Sequence, residues 1–155
     1  MTITEFRDYS DPEFQASFRA YFAEIGITLR ENTGVFREMQ RIADEQGMRC
    51  LTLTEDGKVF GFLQFQEETL THSMGFFTER LGFLREFWIA PDRREQGWGT
   101  RLLGAVEEAL RTAGVRKLIL TYEPSALGFY RKHGFQPDPS YTAVNQENVV
   151  TKLLD

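Results

Sequence analysis

At 155 residues the chain has the length of one ordinary domain, able to bury roughly 68–70% of the surface its unfolded form exposes. Hydrophobic residues make up 41% and charged residues 26%, which excludes a disordered, collagen-like or disulfide-stapled chain. Eighteen Lys and Arg against 23 Asp and Glu give a net charge of −5 without a long basic run, so nucleic acid is not an expected partner.

The single cysteine, Cys50, allows neither an intramolecular disulfide nor a Cys-based zinc site, and points to a reducing compartment. The first residues lack a basic segment followed by an apolar run, and no apolar stretch approaches the length of a membrane span. The expectation is a single cytoplasmic domain over residues 1–155 that does not enter a membrane.

In chain order, Ser10-Asp11-Pro12-Glu13 offers two helix starts: a Ser10 cap with Glu13 reaching back, or an Asp11 cap with Pro12 in the first turn. Phe14, Phe18, Tyr21, Phe22, Ile25 and Leu29 follow at helical spacing, with Gly26 a weak point. Phe36, Met39, Ile42 and Ala43 predict a second helix that Gly47 closes. Residues 49–54 alternate, Asp56-Gly57 marks a hairpin turn, and 59–66 is rich in Phe, which predicts two antiparallel strands. Residues 67–83 have no clean period and read as a long or distorted strand connection.

A strand over 84–89 then stops at Pro91. Trp98, Leu102, Leu103, Val106, Ala109 and Leu110 make a helical stripe ending at Gly114, followed by a short buried strand over 117–122. Pro124 opens another helix carrying Leu127 and Tyr130, which Gly134-Phe135 closes in the manner of a Schellman cap. A last strand covers 145–154.

Between the strand ending at Ile89 and the helix beginning near Trp98 runs Arg93-Arg94-Glu95-Gln96-Gly97-Trp98-Gly99-Thr100. A strand, a glycine-bearing loop and a helix start form an anion site, because unpaired N–H groups and the helix dipole point the same way. Gly97 and Gly99 omit side chains where a phosphate approaches the backbone, and Arg93 and Arg94 add local positive charge. A Walker loop needs Gly-Lys followed by Ser or Thr, which the chain lacks. A dinucleotide fingerprint needs a third Gly or Ala where Leu102 stands.

Arg94-Glu95-Gln96-Gly97-Trp98-Gly99 resembles the Gln/Arg-x-x-Gly-x-Gly/Ala signature of the GNAT family of N-acetyltransferases. Ala126-Leu127-Gly128-Phe129-Tyr130-Arg131-Lys132-His133-Gly134-Phe135 resembles its second signature, and the element order is similar throughout. The resemblance implies an α+β fold with a mixed central sheet of about seven strands and four helices, whose splayed central strands form a coenzyme A cleft. It implies acetyl-coenzyme A as cosubstrate and no metal. The main chain of Gln96, Gly97, Trp98, Gly99 and Thr100, with Arg94, would hold the pyrophosphate, and the strand at Phe87, Trp88 and Ile89 the pantetheine arm.

Attack of an amine on a thioester requires a neutral amine, a polarised carbonyl and a proton for the thiolate. Tyr130 aligns with the family's tyrosine near the sulfur, and Glu86 stands where several members have an acidic residue to take the ammonium proton. Against these stand a packing aromatic and a strand-surface carboxylate paired with Arg85 or a lysine. Where the family commonly has an asparagine, the chain has Glu123, with Ser125 as a replacement contact.

His72 and His133 lack metal-ligand spacing, Cys50 and Trp98 read as packing residues, and Glu24 and Glu31 could attract a cationic amine or remain solvated. The expected partner is a small-molecule or peptide amine; homodimer formation is common in the family. A noncatalytic coenzyme A-binding or protein-interaction module on the same scaffold is the alternative.

Overall fold

The structure, a computed structural model, describes residues 2–30, 34–72, 77–141 and 148–155, with the side chains of His72 and Phe77 also left undescribed. The sequence-based expectations for Glu31, for the His72 side chain and for residues 145–147 lie outside the described residues. Among the described residues, seven strands form one sheet in the order β1-β2-β3-β4-β5-β7-β6, and four α-helices accompany it. The chain divides into two compact units, Met1–Gln66 with Glu86–Val106, and Glu67–Arg85 with Glu107–Asp155.

In the first unit, β1 (Thr2–Glu5) pairs antiparallel with β2 (Arg49–Glu55), and β2 with β3 (Lys58–His72). Asp56 and Gly57 both have positive φ, 52° and 76°, the geometry that a two-residue hairpin turn requires. Of the two helix starts, Asp11 is the cap of α1 (Pro12–Glu24): its carboxylate accepts the Phe14 N–H at 3.3 Å, while Ser10 bonds to Asp8. The helix stops one residue before Ile25, so Leu29 packs from the following loop and not from the helix itself.

Helix α2 (Val35–Gln46) ends at Gly47 as its sequence predicts. Phe14, Phe18, Met39, Cys50, Phe62 and Trp88 share one core, with Phe14 and Phe62 completely buried. Burial pushes the Cys50 thiol far above its ordinary value, so it packs as a small apolar group and supplies no thiolate.

Strand β4 (Phe77–Ile89) is longer than the predicted 84–89 segment, and β3 extends to His72. The aperiodic stretch 67–83 is therefore occupied mostly by two long strands. Their faces meet different surroundings along their length, which is why no single alternation runs through them.

In the second unit, β4 pairs parallel with β5 (Lys117–Thr121) at Gly82–Leu118 and Phe83–Ile119. Strand β5 pairs with β7 (Val149–Leu153) over five positions, and β6 (Gln136–Pro137) joins the other edge of β7. Helix α3 (Trp98–Thr112) closes with the Val115 N–H on the Leu110 carbonyl, 2.9 Å. Its Glu107, nearly buried, is matched by Lys152 of β7 at 2.6 Å, so the carboxylate is not left uncompensated.

Pro124 begins a 3-10 turn (Pro124–Ala126) rather than the α-helix itself, and α4 follows as a short helix over Leu127–Lys132. Gly134 has φ 92° and donates to the Arg131 carbonyl at 3.1 Å, while Phe135 donates to the Tyr130 carbonyl at 3.0 Å. These are the paired bonds of a Schellman end, as Gly134-Phe135 predicts.

Candidate active site

The loop between β4 and α3 begins with a 3-10 turn over Pro91–Arg93, in which the Arg93 N–H returns to the Ala90 carbonyl at 2.9 Å. Glu95 and Gly97 both adopt left-handed backbone, φ 63° and 86°. Glycine takes this conformation freely at 97, whereas Glu95 is strained, as non-glycine residues in functional loops can be. The first intrahelical bond of α3 runs from the Arg101 N–H to the Gly97 carbonyl, 3.1 Å. The N–H groups of Gly97, Trp98 and Gly99 thus precede the helical ladder, and Gly97 has no side chain to cap them. A Cβ at Gly97 would meet nothing within 4 Å, so this helix end is open.

This geometry fits a polyanion through backbone groups and the helix dipole. The side chains nearby do other work. Arg93 is bonded to Glu55 and lies 4.9 Å over the Phe60 ring; Gln96 returns to the Asp92 carbonyl at 3.2 Å. Arg94 donates through Nε to the Ile89 carbonyl at 2.8 Å and through its second nitrogen to both oxygens of Glu24, 2.9 and 2.7 Å. The positive charge that the two arginines bring is thus matched locally by carboxylates. Trp98 meets Phe60 edge-on at 5.7 Å, with Arg101 over its own ring at 4.8 Å, a packing role.

On β4, the Ala90 N–H donates to the Phe60 carbonyl of β3 at 2.7 Å, and the Trp88 carbonyl lies 3.2 Å from where a Gly61 Cβ would stand. Antiparallel alternation therefore turns the peptide groups of Trp88 toward β3 and those of Phe87 and Ile89 away from it. The Trp88 main chain thus faces the sheet, and its buried indole N–H donates to Glu24 at 2.6 Å.

Glu86 shares the Trp88 side of the strand, where its carboxylate accepts the Tyr21 hydroxyl of α1. It is half-buried, and its carboxylate is hydrogen-bonded by Tyr21. Glu24 is likewise engaged: burial raises its pKa, but hydrogen bonds from Trp88 and Arg94 bring the carboxyl below its ordinary value. Sequence periodicity places Tyr21 in the apolar stripe and reads Glu24 as a carboxylate that attracts a cationic amine or stays solvated. Their i, i+3 spacing, which puts both on one helix face, was the available signal.

The second unit holds the other predicted residues. Tyr130 lies in α4 with its ring edge-on to Phe129 and to the fully buried Phe135, at 5.4 and 5.5 Å. Burial pushes its hydroxyl up to about 12, so it holds its proton throughout the neutral range. Ser125 and Glu123 are exposed at the 3-10 turn before α4, and the Glu123 side chain does not cap that turn. His133 ends α4 with Nδ1 2.8 Å from the Phe129 carbonyl. Among the described residues, no group of three or more His, Cys, Asp or Glu side chains is arranged to hold a metal, and no helix is long and apolar enough to cross a membrane.

Comparison with known proteins agrees with the signatures. Over 81 residues the chain is 35% identical to aminoglycoside N(6')-acetyltransferase type 1 of Stenotrophomonas maltophilia, a match covering 51% of each chain. The chain thus spans about half the length of that curated relative. Among solved structures, a Trypanosoma brucei acetyltransferase superposes with TM-score 0.71 at 19% identity, covering 92% of this chain and 96% of the other. An aminoglycoside 6'-N-acetyltransferase complexed with coenzyme A gives 0.70 at 16% identity, covering 100% and 98%. The pattern of the acetyltransferase (GNAT) family matches residues 4–135, more than half of the chain, and the chain belongs to that family.

Proposed function

We propose that the protein is an acetyl-coenzyme A-dependent N-acetyltransferase acting on a primary amine by direct attack in a ternary complex. The observation that carries this reading is the open helix start at Gly97, where backbone N–H groups ahead of the first helical bond await an anion. The main chain of Gln96, Gly97, Trp98, Gly99 and Thr100 holds the pyrophosphate. Phe87 and the Ile89 N–H face the pantetheine arm, while the Ile89 carbonyl is held by Arg94. Arg94 shapes the loop from behind through Ile89 and Glu24, and Ser125 contributes at the start of α4.

Glu86 receives the proton that the acceptor ammonium must lose, directly or through water, with its carboxylate held by Tyr21. The amine nitrogen forms the new C–N bond to the acyl carbon, the C–S bond breaks, and the electron pair stays on sulfur. Tyr130 stabilises the departing thiolate through its O–H. Burial keeps this hydroxyl protonated in the neutral range, so it is available to hydrogen-bond or protonate the sulfur. The ammonium proton taken by Glu86 passes on to solvent, and the second proton, which the nitrogen loses on acylation, is the one taken up by the coenzyme A thiolate.

The S. maltophilia relative is named for aminoglycosides, which supplies the first acceptors to try, alongside simple amines and peptide N-termini. The test is thiol release from acetyl-coenzyme A with this panel, and mass analysis of the acceptor. An amine gaining one acetyl group with one free thiol formed is the expected result. Coenzyme binding with no turnover on any class of amine contradicts the enzymatic reading.

A further inference from the structure

We propose that Glu24 is a positioning residue for the coenzyme-binding strand and loop, acting through Arg94; the inference rests on the acetyl-coenzyme A reading above. Glu24 is the last residue of α1, a helix with no basic residue in its final turn, so its carboxylate faces the unfavourable end of the helix dipole. A solvated carboxylate there would have no reason to be fixed. Instead one oxygen accepts both the Trp88 indole N–H at 2.6 Å and Arg94 at 2.9 Å, and the other accepts Arg94 at 2.7 Å.

Arg94 completes the connection by donating Nε to the Ile89 carbonyl at 2.8 Å. That carbonyl belongs to the residue whose peptide groups turn away from β3, on the edge assigned to the pantetheine arm. One carboxylate therefore orients a guanidinium that simultaneously fixes the end of β4 and the beginning of the Gly97 loop. The planar fork of arginine suits this three-point attachment, and lysine cannot reproduce it. Trp88 alone would need only one acceptor; the two additional bonds to Arg94 are what extend the contact to the loop.

Calorimetric titration with coenzyme A tests the proposal in the wild type, Glu24→Gln, Arg94→Ala and the double variant, with Glu38→Gln as a control. Glu38 forms an exposed pair with Arg41 on α2, so this control removes a carboxylate of the same kind away from the loop. The expected result is a dissociation constant raised about tenfold in each single variant and about tenfold, not a hundredfold, in the double, because both act through one connection. The control retains wild-type affinity. In turnover assays Glu24→Gln raises KM for acetyl-coenzyme A by a larger factor than it lowers kcat.

A Glu24→Gln protein that binds coenzyme A as the wild type does, even if it melts earlier, overturns the proposal, as do losses that multiply in the double variant. If Glu24→Gln folds poorly, Arg94→Lys gives the same test, since it keeps the charge but loses the fork. Absence of coenzyme binding by the wild type itself defeats the cofactor reading, and is thereby distinguished from failure of the positioning role.

Discussion

Gly97 and Gly134 mark two helix ends with nearly the same left-handed backbone, φ 86° and 92°, yet the two ends do opposite things. Gly97 leaves the start of α3 open, with peptide N–H groups ahead of the first helical bond and empty space where a side chain would stand. Gly134 closes α4, and the bonds it permits return to the carbonyls of Arg131 and, through Phe135, of Tyr130. An open N-terminal end leaves peptide N–H groups for an anion to meet; a closed C-terminal end satisfies its carbonyls within the chain. The residue type alone distinguishes neither role.

The largest effect expected from breaking this contrast falls on Tyr130, which the closed end holds in place. Tyr130→Phe keeps the ring packing on Phe129 and Phe135 and removes the O–H. It should lower kcat about 10²-fold, at the lower end of general acid–base effects, with little change in KM for acetyl-coenzyme A. Steady-state kinetics at saturating acceptor measure this directly, and an unchanged kcat would strip Tyr130 of its role.

Next is Gly134→Val, which forces a branched residue into φ 92° and brings its Cβ to 3.2 Å from the Lys152 side chain that pairs with Glu107. A loss of about 2 kcal/mol of stability is expected from strain and crowding, or roughly 4–8 °C in Tm, while the folded protein still binds coenzyme A. Gly97→Val has the opposite signature. No neighbour obstructs its Cβ, but about 1–2 kcal/mol of backbone strain and a distorted loop should weaken coenzyme affinity about tenfold. Melting curves and titrations on both variants compare the two ends, and equal binding losses would erase the distinction.

A pH dependence, confined to strongly alkaline solution, is the last expected effect. Burial raises the folded-state pKa of Tyr130 from 10.0 to about 12, so its neutral form is favoured by folding. No stability is lost on this account below pH about 10. As pH rises from about 10 to about 12 the unfolded chain releases this proton first and the native state loses about 2–3 kcal/mol. Denaturant titrations over that interval should show a shallower decline in Tyr130→Phe than in the wild type.

The fold was largely legible because its signals are local. Asp11-Pro12 starts a helix, Asp56-Gly57 turns a hairpin and Gly134-Phe135 closes α4 within a few residues of the feature each controls. Residues 67–83 resisted reading because β3 and β4 are long and change surroundings along their length. The Gly97 loop was legible for the same local reason as the helix caps. The polar partners within the first unit were not: Glu24 is 70 positions from Arg94, and Tyr21 is 65 from Glu86. Only folding brings such pairs together, and strand alternation decides that the peptide groups of Trp88 face β3.

The central claim is that the open end at Gly97 binds acetyl-coenzyme A, and thermal unfolding of the wild type with and without that ligand tests it most directly. At a concentration 100-fold above the dissociation constant, native-state binding contributes about 2.7 kcal/mol, which for a chain of this size corresponds to a rise of roughly 5–10 °C. The prediction is a rise of that order with acetyl-coenzyme A, absent with NAD and free adenine nucleotides and diminished in Gly97→Val. An unchanged Tm at saturating acetyl-coenzyme A, with no heat of binding by calorimetry, would contradict it.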